Sequence, residues 1–464
     1  MARKKKQQFY DKVELLAGGG EGHAIAKVDG KVIFVKYGAP GDVADIKIIG
    51  RKKRFSLARV ETLHNASEVR QEAFCKHYGV CGGCRWQHIN YEEQLKLKDQ
   101  WAKDCMQRIG KLEVEAYEDI LGAEQTEFYR NKMEYTFSNK RWLYEGENAE
   151  EMPHLNALGF HAPGRFDKVV EIEKCWLQAD TGNQIRNYVQ NYCLEHDLAF
   201  YDLKTHEGLV RNLMLRNTVS GDWMLTLFVT EFNEGVKDLL ESVNSEFEIH
   251  SLNYAVNTKR NDSIFDLEII NYKGSEFISE KLQGLSFEIH PKSFFQTNTK
   301  QADKLYDVAL DFAGITGEDV VYDLYCGTGT LTLSAASKAK KAIGAEIVDE
   351  AIASAKRNAL VNKVDNSHFV VGDMKDVFNQ EFYEEHGMAD IIITDPPRSG
   401  MHPKVVKRLL EIKCPKVVYV SCNPATQARD LQELSEVYRI VKSRAVDMFP
   451  HTHHVENVVL LQLK

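Results

Sequence analysis

The chain has 464 residues, of which 43% are hydrophobic, 27% charged and 10% aromatic, and its formal net charge is −9. This length predicts two or three domains, and the composition excludes a disordered, collagen-like or disulfide-stapled chain. The charge is uneven, because residues 1–60 hold 14 Lys and Arg against 6 Asp and Glu, whereas the remainder holds 45 against 62. A basic segment attached to an acidic body indicates a nucleic-acid partner.

The compartment is indicated by what the sequence lacks. No stretch reaches the roughly 18 apolar residues that a membrane span needs. The N-terminus is basic but has no apolar segment behind it, which argues against a signal peptide. Nine cysteines, an odd number in a long chain, suit a reducing compartment. We therefore expect a cytoplasmic protein that makes no contact with membranes.

Residues 1–62 alternate short strand-like runs with glycine-rich turns, which predicts a small antiparallel, OB-like β-barrel. Its basic side chains cluster in Arg3–Lys6 and Arg51–Arg54, with Tyr37 and Phe55 interleaved. OB-like barrels hold single-stranded nucleic acid with such a combination of charge and aromatic surface. A solvated basic face is the alternative interpretation.

Residues 63–290 have a mixed α+β pattern and contain the strongest cysteine spacing in the chain, Cys75-x5-Cys81-x2-Cys84. Three clustered thiols need a fourth metal ligand, for which Cys175 is the best candidate. Four thiolates suit either zinc or an iron–sulfur cluster. Unliganded thiols remain the alternative.

From residue 291 to 464 strands and helices alternate regularly. Strand-like runs cover residues 320–325, 341–347, 368–373, 389–395 and 416–422, and helical patterns cover residues 330–339, 349–362, 404–412 and 425–434. This alternation predicts a doubly wound, mostly parallel, Rossmann-like α/β sheet with ligands at the carboxyl ends of its strands. Two final runs, Ile440–Met448 and Val455–Leu463, predict a terminal antiparallel hairpin.

A glycine-rich turn, Asp323–Leu331, follows the first of these strands and opens a helix. Gly327 and Gly329 allow the backbone to approach a ligand, and Glu346 ends the next strand, where acidic residues meet ribose hydroxyls. Thr332 replaces the third glycine of the pyrophosphate-binding pattern. The turn therefore suits a nucleoside without a diphosphate, such as S-adenosylmethionine. A packing turn is the alternative.

Two further strand ends carry reactive residues. Asp395–Gly400, with two consecutive prolines, predicts a rigid loop at the ligand face, and Cys422 ends the neighbouring strand beside a helix N-terminus. A helix N-terminus lowers the pKa of a thiol, so Cys422 is a candidate nucleophile. Glu456 is the nearby carboxylate available as a base, and we interpret the histidines of the run 451–454 as loop-shaping or substrate-contacting.

These features together resemble the RNA uracil-5-methyltransferase family, specifically its bacterial 23S ribosomal RNA branch, over nearly the whole chain. The motifs that carry the resemblance are SFFQTN (293–298), DLYCGTGT, DPPR, SCNPAT and FPHTHHVE. The resemblance implies a class I methyltransferase domain over residues 291–464, a TRAM domain for the barrel, and a 4Fe-4S cluster on the four cysteines of a central domain.

The resemblance also implies site residues. Cys422 would be the nucleophile and Glu456 the general base. The residues that would bind S-adenosylmethionine are Gln296, Tyr325, Thr330, Glu346, Asp373 and Asp395. Thr330 stands where some members have Asn, and Asp373 varies between members.

The chemistry explains these residue types independently. Uracil C5 is too weak a nucleophile to attack a methylsulfonium, but addition of a thiolate to C6 places negative charge at C5. A base then removes the C5 proton. Arg398 or backbone donors would stabilise the charge at O4. We expect a monomer acting on a loop or single-stranded uridine of 23S ribosomal RNA that is flipped out of its stack.

Three alternatives stay open. An RNA cytosine-5 methyltransferase uses the same covalent logic but typically has a Pro-Cys nucleophile, whereas Cys414 here precedes its proline. A transfer RNA uracil-5 enzyme is disfavoured, because such members generally lack the barrel and the cysteine set. A non-catalytic RNA-binding iron–sulfur assembly factor would have no need of Cys422.

Overall fold

The computed structural model describes residues 8–464, so the predicted basic cluster Arg3–Lys6 lies outside the described residues. The chain forms two compact units. The first unit comprises the described part of Met1–Glu124 with Pro397–Gly400 and Ser421–Val459, and the second unit comprises Gln125–Pro396, Met401–Val420 and Leu460–Lys464. Within residues 8–464, every helix is too short or too polar to span a lipid bilayer.

The strands of residues 8–464 vary in length from 2 to 11 residues. In chain order they are β1 (Phe9–Glu14), β2 (Ala17–Gly18), β3 (Ala24–Val28), β4 (Lys31–Lys36), β5 (Val43–Arg51), β6 (Phe55–Asn65), β7 (Val114–Leu121), β8 (Lys132–Ser138), β9 (Ala157–Ala162), β10 (Arg165–Glu171), β11 (Val210–Asn217) and β12 (Trp223–Val229). They continue with β13 (Ser251–Val256), β14 (Ile270–Gly274), β15 (Ile278–Leu282), β16 (Leu285–Ile289), β17 (Val320–Leu324), β18 (Lys341–Glu346), β19 (Ser367–Val371), β20 (Ile391–Thr394), β21 (Lys416–Ser421), β22 (Tyr438–Val446) and β23 (Glu456–Leu463).

The helices confirm the helical patterns predicted after residue 320. They are α1 (Tyr91–Asp104), α2 (Asp180–Glu195), α3 (Glu234–Glu246), α4 (Thr299–Ala313), α5 (Thr330–Ala336), α6 (Asp349–Val361), α7 (Met374–Val377), α8 (Gln380–His386), α9 (Pro403–Ile412) and α10 (Pro424–Leu434). A π-helical turn, Cys105–Ile109, continues α1. The short helices α7 and α8 were not predicted, because neither is long enough to show a helical period.

The first unit begins with a six-stranded sheet in the order β1-β5-β6-β4-β3-β2. Its core is a set of alternating small and branched aliphatic side chains, including Ala24, Ala26, Ile33, Val35 and Ile46. The prediction of a wholly antiparallel barrel is wrong in one respect, because β4 and β6 pair in parallel. The two strands run in the same direction because β5 lies between them in the chain and pairs antiparallel with β6.

The first unit also contains the strand pair β7 and β22, which is parallel. Strand β22 lies next to β23, so the two closing runs are neighbours in one sheet, as predicted. Strand β7 was not predicted to join this sheet. Its partner lies more than 300 residues away in the chain, and local periodicity carries no information about such a pairing.

The second unit contains a seven-stranded sheet in the order β10-β9-β8-β11-β12-β13-β14, in which only β12 and β13 pair in parallel. A two-stranded antiparallel sheet, β15 and β16, follows it. The same unit holds five parallel strands in the order β19-β18-β17-β20-β21. This order confirms the doubly wound prediction and reverses between β17 and β20, where such sheets bind ligands.

Candidate active site

The turn between β17 and α5 places backbone rather than side chains at the carboxyl edge of the sheet. Tyr325 has a positive φ of 70°, and its N–H donates to the Ala345 carbonyl at 2.9 Å. A Cβ atom at Gly327 would meet nothing within 4 Å, whereas one at Gly329 would lie 2.9 Å from the Ala355 Cβ atom. One glycine therefore faces open space, and the other lets the turn pack against α6.

Glu346, at the end of β18, is oriented by backbone donors. Its carboxylate accepts hydrogen bonds from the N–H groups of Gly327 at 3.2 Å, Ile347 at 2.8 Å and Val348 at 3.1 Å. The side chains of Ile347 and Val348 are exposed, as is that of Val371, which pairs with Glu346 across the strands. An oriented carboxylate thus stands beside a small apolar surface.

Two carboxyl groups and a phenol lie beneath this edge. Asp323 is buried, accepts a hydrogen bond from the Thr332 hydroxyl at 2.6 Å, and has its pKa raised to about 7 by burial. Burial and the nearby Asp323 also raise the pKa of Asp395. The Tyr306 hydroxyl lies 3.2 Å from the Thr330 hydroxyl. Sequence reasoning missed Tyr306, which stands in a helix and belongs to no motif.

The loop with Gln296 is held by side chains from the seven-stranded sheet region. Asn131 donates from Nδ2 to the Gln296 carbonyl at 2.9 Å, and Arg216 donates from Nη2 to the Ser293 carbonyl at 2.6 Å. Both side chains are buried. The Gln296 side chain is near the Tyr306 hydroxyl, where it partly offsets the rise in the pKa of Tyr306 that burial causes. The structure therefore brings Gln296, Tyr306, Thr330 and Asp395 into one neighbourhood.

Asp373 follows β19 and caps α7, where its carboxylate accepts from the Lys375 N–H at 3.2 Å. The Lys375 ammonium also pairs with this carboxylate and holds its pKa below the ordinary value. Asp373 is thus fixed as an anion at the end of a strand on the same parallel sheet.

In the first unit, Arg398 links the loop of the predicted nucleophile to the histidine run. Cys422 is half-buried and precedes Asn423, the N-cap of α10. The Arg398 carbonyl accepts from the Asn423 side-chain amide and from the Thr426 hydroxyl, each at 3.1 Å. The Arg398 guanidinium lies 3.1 Å from Nδ1 of His454. Three predicted motifs therefore meet at one arginine.

Glu456, the predicted base, is buried at the start of β23, and its neighbour Asn457 is fixed by hydrogen bonds. Glu456 precedes Asn457, whose side chain and backbone form a reciprocal pair with the Gln427 amide at 2.8 and 3.0 Å. Gln427 and Asn457 have no exposed surface. This pair joins the helix that begins just after Cys422 to the strand that begins with Glu456. Sequence reasoning missed both amides, since neither residue type has chemistry of its own.

The histidine run is mostly structural. The His451 carbonyl accepts from the N–H groups of Arg85 at 2.8 Å and Trp86 at 3.0 Å. Burial lowers the pKa of His451 to about 4 and that of His453 to about 3, so both are neutral at pH 7. His451 has the contacts expected of a loop-shaping residue.

Comparison with known proteins decides the family. The profile of tRNA (uracil-5-)-methyltransferases matches residues 217–464, and the TRAM domain profile matches residues 12–60. The chain belongs to the RNA uracil-5-methyltransferase family. An uncharacterized RNA methyltransferase of Bacteroides thetaiotaomicron is 51% identical, over 96% of this chain and 99% of its own length. One of Porphyromonas gingivalis is 47% identical, over 97% and 99%.

A solved relative extends this comparison to three dimensions. The tRNA (uracil-54, C5)-methyltransferase of Pyrococcus abyssi, in complex with S-adenosyl-L-homocysteine, is 29% identical with a TM-score of 0.74. It covers 97% of this chain and is itself covered completely. The protein is therefore an S-adenosylmethionine-dependent RNA methyltransferase with a class I fold and a TRAM domain. The match to a transfer RNA enzyme does not confirm the expected 23S ribosomal RNA substrate.

The metal site implied for this methyltransferase is not supported by the described residues. Within residues 8–464, no three His, Cys, Asp or Glu side chains are arranged to hold a metal ion, and the searched residues include Cys75, Cys81, Cys84 and Cys175. The Cys81 sulfur accepts from the Gly83 N–H at 3.5 Å, and burial raises the pKa of the Cys175 thiol. The described residues therefore do not show the iron–sulfur cluster that the resemblance implies.

Proposed function

We propose that this methyltransferase transfers a methyl group to C5 of a uridine in RNA through a covalent bond between Cys422 and C6, with Glu456 as the general base. The observation that carries the proposal is the junction at Arg398, which holds the Cys422 loop through its carbonyl and contacts His454 through its guanidinium. One residue thus couples the loop of the nucleophile to the loop that leads to the base.

The proposed reaction has two halves. The Cys422 thiolate adds to C6, and the electrons of the C5–C6 double bond move to C5 and O4. The C5 carbanion takes the methyl group. Glu456 then removes the C5 proton, the C5–C6 double bond re-forms, and the thiolate leaves. Arg398 is suited to stabilise the negative charge at O4, since its guanidinium lies beside His454 in the loop that leads to Glu456.

The methyl donor is proposed to bind at the edge of the parallel sheet in the second unit. Bound S-adenosylmethionine supplies the electrophilic methyl group. The residues proposed to hold it are Gln296, Tyr325, Thr330, Glu346, Asp373 and Asp395. The chain fits such a ligand, because Glu346 is aimed by backbone donors, Gly327 faces open space, and Ile347 offers an exposed apolar face for a flat base.

The RNA is proposed to bind first through charge on the TRAM sheet. All four side chains of Arg51–Arg54 are exposed, and the Lys47 ammonium lies 5.2 Å from the centre of the Phe9 ring. Basic and aromatic side chains on one small sheet attract phosphates and stack bases without sequence preference. The target base must then leave its stack to reach a buried carboxylate.

Two RNA classes are candidates for the substrate. We propose 23S ribosomal RNA, following the resemblance of the motifs to that branch. Transfer RNA is the second candidate, because the Pyrococcus abyssi transfer RNA enzyme shares the architecture over nearly the whole chain. The discriminating measurement is mass spectrometry of 5-methyluridine in each RNA after incubation with the enzyme and donor.

A trapping experiment tests the covalent mechanism. The protein is incubated with labelled S-adenosylmethionine and RNA in which 5-fluorouridine replaces uridine. A labelled protein–RNA adduct that survives denaturation is expected, because fluorine cannot be removed as a proton. Cys422→Ala abolishes this adduct, whereas Cys414→Ala, at a buried cysteine in the same part of the chain, retains it.

The same experiment separates the alternatives. A cytosine-5 enzyme forms the adduct with 5-fluorocytidine instead, and a non-catalytic RNA-binding protein forms none. An undiminished adduct in Cys422→Ala would refute the assigned nucleophile.

A further inference from the structure

Helix α1 buries a polar stripe. Tyr91, Gln94 and Lys98 stand at helical spacings of three and four, so they lie on one face. Gln94 and Lys98 have no exposed surface, and Tyr91 is half-buried. A lysine is almost never fully buried unless it is paired, and a core-facing helical stripe is normally apolar. These buried polar side chains therefore need hydrogen-bonding or ionic partners in the structure packed against α1.

The partner of Lys98 and Tyr91 is a carboxylate in the segment that follows β22. The Lys98 ammonium donates to Oδ1 of Asp447 at 2.5 Å and to the Phe449 carbonyl at 3.0 Å. The Tyr91 hydroxyl donates to Oδ2 of Asp447 at 3.0 Å. The Phe449 N–H also donates to Oδ1 of Asp447 at 3.0 Å, so both carboxylate oxygens of Asp447 accept hydrogen bonds. Asp447 is fully buried.

Gln94 binds the backbone at His451, four residues after Asp447. Oε1 of Gln94 accepts from the His451 N–H at 2.9 Å, and Nε2 donates to the carbonyls of Trp86 at 3.0 Å and Ile89 at 2.8 Å. His451 has a φ of 65°, a left-handed conformation that non-glycine residues adopt only when their surroundings impose it. Gln94 and the N–H donors of Arg85 and Trp86 impose it here.

The segment held in this way, residues 447–451, leads within five residues to Glu456. A buried ion pair is a poor means of stabilising a fold, since apolar residues of the same volume are often as stable. What it provides is one defined geometry. The contacts from α1 therefore act on the position of the segment before the proposed base.

We propose that α1, through Tyr91, Gln94 and Lys98, positions Glu456 for removal of the C5 proton. The inference rests on the proposed function. Addition of the Cys422 thiolate to C6 and transfer of the methyl group to C5 do not use Glu456. In the last step the carboxylate takes the C5 proton, the C5–H electron pair forms the C5–C6 double bond, and the C6–S bond breaks with its electrons returning to sulfur. A misplaced Glu456 therefore stalls the methylated adduct.

The test measures the adduct on ordinary uridine RNA, where the wild-type enzyme releases it. Lys98→Met and Tyr91→Phe are incubated with labelled S-adenosylmethionine and RNA, denatured and separated by electrophoresis. Labelled adduct about tenfold above wild type is expected, with turnover reduced about tenfold and the KM for donor and RNA little changed. Lys103→Met is the matched control, because Lys103 lies on α1 and pairs with Asp99 at the surface.

Each outcome decides the inference. Loss of turnover without accumulated adduct, or equal accumulation in Lys103→Met, overturns it. Tyr91→Phe removes one hydroxyl and decides the question if Lys98→Met fails to fold. If the wild-type protein forms no adduct with 5-fluorouridine RNA, the proposed function itself fails. If the wild-type protein forms that adduct but the α1 variants accumulate none on ordinary RNA, only the inference about α1 fails.

Discussion

The glycine-rich turn of the second unit and the segment before Glu456 in the first unit are held in opposite ways. The contacts of the turn are local, since Gly327 and Glu346 are 19 positions apart and Asp323 and Thr332 only 9. The segment before Glu456 is held across almost the whole chain, because Tyr91 and Asp447 are 356 positions apart. One strand–turn–helix segment can thus supply its own contacts, whereas the segment before Glu456 depends on side chains from elsewhere.

Two buried carboxyl groups, one in each unit, have opposite pKa shifts. Asp323 in the second unit accepts from the Thr332 hydroxyl, and burial raises its pKa to about 7. Asp42 in the first unit is fully buried as well, but it accepts from Nε and Nη2 of Arg70, each at 2.7 Å, and from the Ala39 and Ser67 N–H groups. Burial alone would raise its pKa, yet these donors hold the pKa below the ordinary value. The comparison predicts opposite responses to pH.

The largest effect is expected from pH. Between about pH 4 and pH 7 the folded second unit retains a proton on Asp323 that the unfolded chain has released, so the contribution of Asp323 to the free energy of unfolding falls as pH rises, by up to about 4 kcal/mol. Asp323→Asn, which keeps an acceptor for Thr332, is expected to flatten this dependence. Urea-dependent hydrogen exchange in β17 and α5, corrected for intrinsic rates, measures it.

The control for this prediction lies in the first unit. Asp42 has a lowered pKa, so its contribution is complete above its unfolded pKa of 3.8 and is lost as pH falls through the folded value. Asp42→Asn is expected to lower the free energy of unfolding at pH 7 and to remove the loss in acid. Exchange in β5 and β6 reports it. If the two substitutions change the pH dependence of unfolding with the same sign, the comparison of Asp323 with Asp42 is contradicted.

The next largest effect is expected at Gly329, in the glycine-rich turn of the proposed donor site. Gly329→Ala forces a side chain to a φ of +83° and 2.9 Å from the Ala355 Cβ atom, which we expect to cost about 1–3 kcal/mol and to weaken S-adenosylmethionine binding by about 10- to 100-fold. Gly387→Ala, at a φ of +89° and a ψ of 168° that only glycine adopts readily, has open space around it, so it imposes at least as much backbone strain without the crowding. Calorimetric titration measures both. Equal loss of binding in the two variants would show that the turn has no special role.

The local half of this architecture is also the half that the sequence predicts. The order β17, α5, β18 follows from alternating runs of apolar residues, and Gly327, Gly329 and Glu346 can be assigned because strand, turn and acidic residue are contiguous. The proposed nucleophile is assigned for a similar reason, since Cys422 stands between a strand and a helix N-cap. In each case the chemistry and its local structure occupy one short segment.

The distant half escapes prediction for a physical reason. Lys98 stands in a charged helix sequence, where a lysine is normally solvated, and only the folded chain reveals Asp447 beside it. Strand β7 pairs with β22 across the same long separation. Tyr306 likewise has no motif and gains its place by packing. Periodicity reports which face of an element is buried but not which distant partner covers it.

The smallest effect is expected at the amide pair between the two loops of the first unit. Gln427→Leu leaves Nδ2 of Asn457 buried without its acceptor, while Oδ1 keeps the Ser443 hydroxyl, and this costs about 1–3 kcal/mol. Because Asn457 adjoins Glu456, we also expect kcat to fall about threefold while the donor KM is unchanged. The double variant Gln427→Leu/Asn457→Leu removes both polar groups and should recover part of the stability but not of kcat. Gln432→Leu, at an exposed position on α10, is the control and should change neither. If the double variant restores kcat as well, the pair serves stability alone, and the long-range contacts that position Glu456 are confined to those from α1.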